Sequence, residues 1–163
     1  MWLLRRFNAI TLKVASWTVI LSMAAMAMVV PYEVFGRYVL GNMSMWGSEF
    51  LQYSLVWASM LGGAVGLRRG YQVGITSLTD SLPPGAARFV QAVSHVAMLA
   101  FLAFVTYYGF DQVAMNRSQV SSTLGIPMSI PYAALPIGFL IMFFVTMEQL
   151  VDFLSAKPTG NEK

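Results

Sequence analysis

The feature that most constrains this chain is the placement of its charges, which divide the sequence into four long uncharged stretches. Residues 14–32, 50–67, 89–110 and 118–147 hold no Asp, Glu, Lys or Arg, giving runs of 19, 18, 22 and 30 residues. An α-helix rises about 1.5 Å per residue, so roughly 20 apolar residues cross a hydrocarbon core of about 30 Å. The rest of the chain cannot shield such stretches from water. Of 163 residues, 57% are hydrophobic and 10% charged, and the mean hydropathy is +0.64. A soluble domain carries about 25% charged residues, and a disordered chain is poor in apolar ones. Both classes are excluded.

The expected fold is an all-α membrane protein with four transmembrane helices and short interfacial helices, in a single domain over 1–163. The spans fall at about 14–35, 47–67, 86–110 and 130–153. Gly125, Pro127 and Pro131 disfavour a helix in the first part of the last stretch. That span therefore starts near Ile130 and passes Glu148 to about Phe153. Outer connections cover 36–46 and 111–129, an inner connection covers 68–85, and a polar tail covers 154–163. Ala25-Met26-Ala27 resembles a signal-peptide cleavage site. However, the apolar run continues beyond it and three more spans follow, which favours a retained helix.

Orientation follows from the basic residues. Arg5, Arg6, Lys13, Arg68, Arg69, Arg88, Lys157 and Lys163 share one side of this topology, leaving Arg37 and Arg117 on the other. That bias places both termini and the middle connection in the cytoplasm. No basic run exceeds two residues, unlike the longer blocks of nucleic-acid-binding arms. Tyr32, Tyr38, Trp46, Tyr107, Tyr108 and Tyr132 gather at the outer boundary as an interfacial belt.

The connections carry their own pattern. Residues 33–49 are too apolar for a free loop, and suit a segment in the membrane interface or packed on protein. Ser44 or Ser48 can cap the second helix, with Glu49 near its positive end. In the inner connection, Ile75, Leu78 and Leu82 fall on one helical face. This predicts a short amphipathic helix, ended by Pro83-Pro84.

Residues with chemical potential are few. His95 is the single histidine; it suits a proton relay or metal ligand, but a hydrogen bond to a neighbouring helix is the plainer role. Glu33, Arg37, Glu49, Asp111 and Arg117 sit at the outer boundary, where Arg37 is expected to pair with Glu49 or Glu33. Arg37, Trp46, Glu49 and Arg117 are candidates for a structural or docking role on that face. Ser54, Ala58, Gly62 and Gly66 recur every four residues, and such small residues let helix backbones approach closely in lipid. With Trp57, whose N–H needs a partner, they form the candidate helix-packing or subunit interface. The twelve methionines suit adaptable packing. Cysteine is absent, so disulfides and thiolate sites are ruled out. No phosphate-binding, nucleophile-elbow or zinc motif occurs. The expectation is a non-enzyme with no catalytic, cofactor-binding or metal-binding residue.

Several segments together resemble a known family. Residues 35–41 (FGRYVLG) and 44–49 (SMWGSE), then 56–64 (VWASMLGGA) with Arg68-Arg69-Gly70, are similar to landmarks of the small membrane subunit of tripartite ATP-independent periplasmic (TRAP) transporters. Leu82-Pro83, Ile126-Pro127 and residues 132–138 (YAALPIG) extend the resemblance. Gln72 departs from the histidine that many members carry after the Arg-Gly turn. The resemblance implies a large permease subunit holding the substrate and sodium sites, and a periplasmic binding protein that delivers an organic acid. It implies an inner-membrane scaffold serving secondary, sodium-coupled symport of organic acids rather than a carrier itself. A self-sufficient homo-oligomeric transporter is the competing reading, and it requires an intramembrane carboxylate. A respiratory membrane anchor is the other, and it requires paired haem ligands.

Overall fold

The computed structural model describes the backbone of residues 2–41, 45–79 and 82–155, and their side chains except at 70–79 and 84. It contains α1 (Trp2–Tyr38), α2 (Met45–Thr79), α3 (Pro84–Met115), α4 (Ser129–Tyr132) and α5 (Ala134–Ser155), with a 3-10 turn at Asn116–Ser118. Four stretches are long and apolar enough to cross a membrane: Trp2–Tyr38, Met45–Arg69, Gly85–Ser118 and Ser129–Ser155. The fold is the expected all-α membrane bundle.

Helices run further than hydropathy alone marks. The 37 residues of α1 reach roughly 55 Å, well beyond the hydrocarbon thickness. Pro31 lies inside it, removing one donor and crowding the preceding turn, yet helical backbone continues to Tyr38. Gly41, at φ 63°, adopts a left-handed conformation that ends the extension. Similarly, α2 does not break at Arg68-Arg69-Gly70. In place of a separate short helix after that turn, helical backbone continues from α2 to Thr79. Isolated glycines lower helix stability by about 1 kcal/mol each without ending a helix, and Pro83 is the first residue there that cannot continue one. Pro84 then occupies the first turn of α3, where its missing N–H costs nothing. Ser48 lies within α2 rather than capping it, and Ser44 lies outside the described residues. So do residues 156–163 of the tail.

Packing centres on α5. It receives α3 on one side and α2 on another, while α1 packs mainly on α2. A third of the most apolar window of the last span (33%) is buried, against 6% for α1. The buried apolar residues are mostly small: Ala15, Ala58, Ala64 and Ala134, with Leu61, Leu102 and Val145. Close backbone approach is the source of association in lipid, where tails already solvate larger apolar groups. Gly138 marks a close backbone approach in the α2–α5 seam. A Cβ there would lie 2.8 Å from Met60 Cβ and 3.3 Å from the Met60 carbonyl oxygen.

Arg5 of α1 meets Asp152 of α5 at 2.5 Å, so the two described ends of the chain lie at one end of the bundle. Tyr32 and Trp46, 6.5 Å apart between ring centroids, lie at the far end.

Candidate functional site

The most distinctive chemistry lies near the end that carries the termini. Glu148 of α5 is 2% exposed and Asn8 of α1 is 1% exposed. Asn8 Nδ2 donates to Glu148 Oε2 at 2.6 Å and to the Phe144 carbonyl at 3.0 Å. Arg68 of α2 brings Nη1 to 2.8 Å from the same Oε2. One carboxylate thus joins three helices. Beside it, Gln149 Nε2 donates to the Leu67 carbonyl at 3.4 Å. Glu148 Oε1 and Gln149 Oε1 are buried without a hydrogen-bond partner among the described residues. Glu148 lies seven residues before Ser155, about 10 Å along the helix. A carboxylate so enclosed persists where a cation and hydrogen bonds compensate its lost hydration.

Glu148, which the sequence places near the end of the last span, is enclosed between α1, α2 and α5. Beyond it α5 continues as mostly apolar helix through Leu150, Val151, Phe153 and Leu154. The sequence signal was that continuation, together with Asp152 four residues later on the same face. Arg5–Asp152 is the exposed companion of this site, with side chains 58% and 43% exposed, where a pair contributes little.

His95 lies in the same half of the bundle. It is 4% exposed, its Nδ1 is 2.7 Å from the Gln91 carbonyl oxygen, and its ring stacks on Phe153 at 5.6 Å. The Arg88 guanidinium lies 5.8 Å from that Phe153 ring. His95 therefore joins α3 to α5 by stacking, while its Nδ1 contact with the Gln91 carbonyl lies within its own helix. Among the described residues, no group of three or more His, Cys, Asp or Glu could hold a metal ion.

At the far end, Glu49 organises a loop. Its carboxylate accepts from Ser121 Oγ and from the backbone N–H of Leu124 at 3.1 Å. The Thr123 N–H lies 3.2 Å from both carboxylate oxygens. The loop is closed by Ser121 N–H to the Ile126 carbonyl, 2.9 Å, and Met128 N–H to the Gln119 carbonyl, 2.9 Å. Gly125 turns it with φ 65°, a conformation that favours glycine. Glu49 is thus an anionic clamp on residues 121–124. Ion pairs at the opposite end join Arg5 to Asp152 and Arg68 to Glu148. Arg37 and Arg117 are exposed. Trp46, 43% exposed, packs edge-on to Phe50 at 6.3 Å, and the Glu33 side chain covers Gly47.

The small-residue stripe on α2 does not face a single partner. Ala58 is buried, Ser54, Trp57 and Gly62 are half-buried, and Gly66 is exposed. A Cβ at Gly62 would lie 4.0 Å from Val19 of α1, whereas nothing lies within 4 Å of one at Gly66. The stripe begins against the bundle and turns outward. Internal packing of α2 uses Ala58 of the stripe together with Leu61 and Ala64, which lie outside it.

These features sit in a chain with clear relatives. The family model described as tripartite ATP-independent periplasmic transporters, DctQ component, matches residues 26–156. The chain is 26% identical over 132 residues to the sialic acid TRAP transporter small permease protein SiaQ of Vibrio cholerae, covering 81% of this chain and 76% of that protein. It is 24% identical to the C4-dicarboxylate TRAP transporter small permease protein DctQ of the same species, covering 93% and 76%. It is also 23% identical to the isethionate TRAP transporter permease protein DctMQ of Oleidesulfovibrio alaskensis, covering 78% of this chain but 21% of that longer protein. With most of its length matched and its four apolar helices in place, this chain belongs to the DctQ family of TRAP transporter membrane components.

Proposed function

We propose that this chain is the non-catalytic small subunit of an ion-gradient-driven, sodium-coupled organic-acid uptake system. In this reading it sits in the inner membrane with both termini cytoplasmic. It scaffolds a large permease subunit, and its outer face helps dock a periplasmic binding protein. The observation that carries the reading is the Asn8–Arg68–Glu148 junction. The enclosed carboxylate is neutralised within the chain and ties three helices together, so it serves rigidity and not passage of cargo. The outward turn of the stripe at Gly66 supports a helix-packing surface for the partner. The match to a fifth (21%) of a longer permease protein supports a large partner of the same kind. Exposed Arg37 and Arg117, with Trp46 and the Glu49-clamped loop, supply the proposed docking face.

The competing reading, a self-sufficient transporter, is favoured by one observation: Glu148 is a carboxylate enclosed within the helix bundle. Reconstitution separates the two. The chain is placed in proteoliposomes alone, or co-purified with a co-expressed large permease, and uptake of labelled organic acids is followed under a sodium gradient with binding protein added. The scaffold reading expects uptake only from the complex. Uptake by the chain alone, abolished by Glu148→Gln, overturns it.

A further inference from the structure

A groove between α1 and α2, near the end that carries the termini, is lined by Leu12, Lys13, Ser16, Trp17, Ile20, Val65, Arg68 and Arg69, with a volume of about 390 Å³. We propose that it binds the headgroup and upper acyl chain of an anionic phospholipid. Three cations converge on it and its lining contains no acid. Arg68 commits Nη1 to Glu148, but a guanidinium has five N–H donors, and its side chain remains 40% exposed. Lys13 and Arg69 are exposed.

The groove is graded as a phospholipid is graded. On α1, Lys13 is followed one turn deeper by Trp17 and another turn deeper by Ile20, about 10 Å along the axis. On α2, Arg69 and Arg68 lie on the Thr79 side of the groove, and Val65 one turn back toward the middle of the bundle. Trp17 and Ile20 are 58% and 55% exposed, so the apolar part opens sideways to lipid tails. The charged part lies at headgroup depth, where basic pockets between membrane helices capture anionic headgroups. The indole of Trp17 suits the boundary between the two regions. A free phosphate or an acidic peptide would leave the apolar walls unused. The proposal needs only a membrane location, and it stands whichever side of the membrane this end faces.

Native mass spectrometry of the full chain, with whatever subunit it co-purifies with, tests the assignment by titrating phosphatidylglycerol against phosphatidylcholine. Phosphatidylglycerol is expected to bind preferentially, and Lys13→Ala/Arg69→Ala to weaken that binding by about tenfold or more. Arg6→Ala removes a cation near the same end without touching the groove, and is expected to change affinity less than about twofold. If the alanine pair fails to fold, Lys13→Gln/Arg69→Gln keeps the stems packed and gives the same comparison. Equal binding of the two lipids overturns the proposal, as does an equal loss with Arg6→Ala. Loss of a co-purifying subunit from the groove variant, with phosphatidylglycerol binding intact, assigns the groove to an acidic protein segment and also overturns it.

Discussion

Arg68 and Glu148 meet at 2.8 Å between Nη1 and Oε2, with the carboxylate side chain 3% exposed and the guanidinium 40% exposed. One partner is enclosed and the other opens outward. The cation thus carries the charge balance of the interior to the surface of the bundle, and Asn8 completes the junction from a third helix. Because α5 touches both α2 and α3, fixing its terminal half fixes the relative positions of its neighbours.

Removing either member of this pair is therefore asymmetric. Arg68→Leu strands the enclosed carboxylate and is expected to destabilise the bundle by about 2–4 kcal/mol, whereas Arg68→Leu/Glu148→Leu recovers most of that loss. Unfolding in detergent, monitored by helix content, gives the comparison. A double variant as unstable as the single one would mean that the pair does more than neutralise charge.

The clamp at the far end predicts a local effect. Glu49→Ala removes the charged acceptor for the Thr123 and Leu124 N–H groups. Amide hydrogen exchange at those two residues is expected to accelerate by at least about tenfold. Arg37→Ala is expected to leave it unchanged, because the Glu49 acceptor stays in place. Equal acceleration in both variants would restore the pairing expected from sequence.

The contrast between these two sites shows what a sequence of this kind discloses. Hydropathy and charge placement disclose four membrane helices, since the bilayer imposes one length and one polarity on each. They do not disclose where a helix ends beyond the bilayer, which is why α1 passes Pro31 and α2 passes Arg69. Nor do they assign partners. Glu148 and Glu49 each resemble a boundary acid in sequence, and only the packing of α1 and α2 on α5, and of the 121–124 loop on α2, distinguishes an enclosed junction from a loop clamp. The stripe at Ser54, Ala58, Gly62 and Gly66 has the right spacing for packing, but helix rotation decides which of its members face inward, and spacing carries no rotation.

Glycine substitutions separate the internal seam from the outward one. At Gly138 a new Cβ meets Met60 backbone as well as side chain, so Gly138→Leu forces α2 and α5 apart. The expected loss is about 1–3 kcal/mol or more, seen as a lower melting temperature of the purified chain. Gly66→Leu meets open space and is expected to leave melting unchanged while lowering the yield of co-purified large permease. A Gly66→Leu chain that still retains its partner fully would remove the stripe from the proposed interface.

His95 distinguishes stacking from proton chemistry. His95→Phe keeps an aromatic ring against Phe153 and loses the ring nitrogens, while His95→Ala removes both. If the residue serves the α3–α5 joint, His95→Ala costs about 1–3 kcal/mol through the lost ring and the cavity it leaves, and His95→Phe recovers most of it. Uptake by the assembled complex should then follow stability, with His95→Phe near the parent rate across the pH range in which a histidine titrates. A His95→Phe complex that folds and assembles normally but has lost uptake would show that a ring nitrogen takes part in transport. The plain packing role would then be untenable, since phenylalanine supplies everything that role requires.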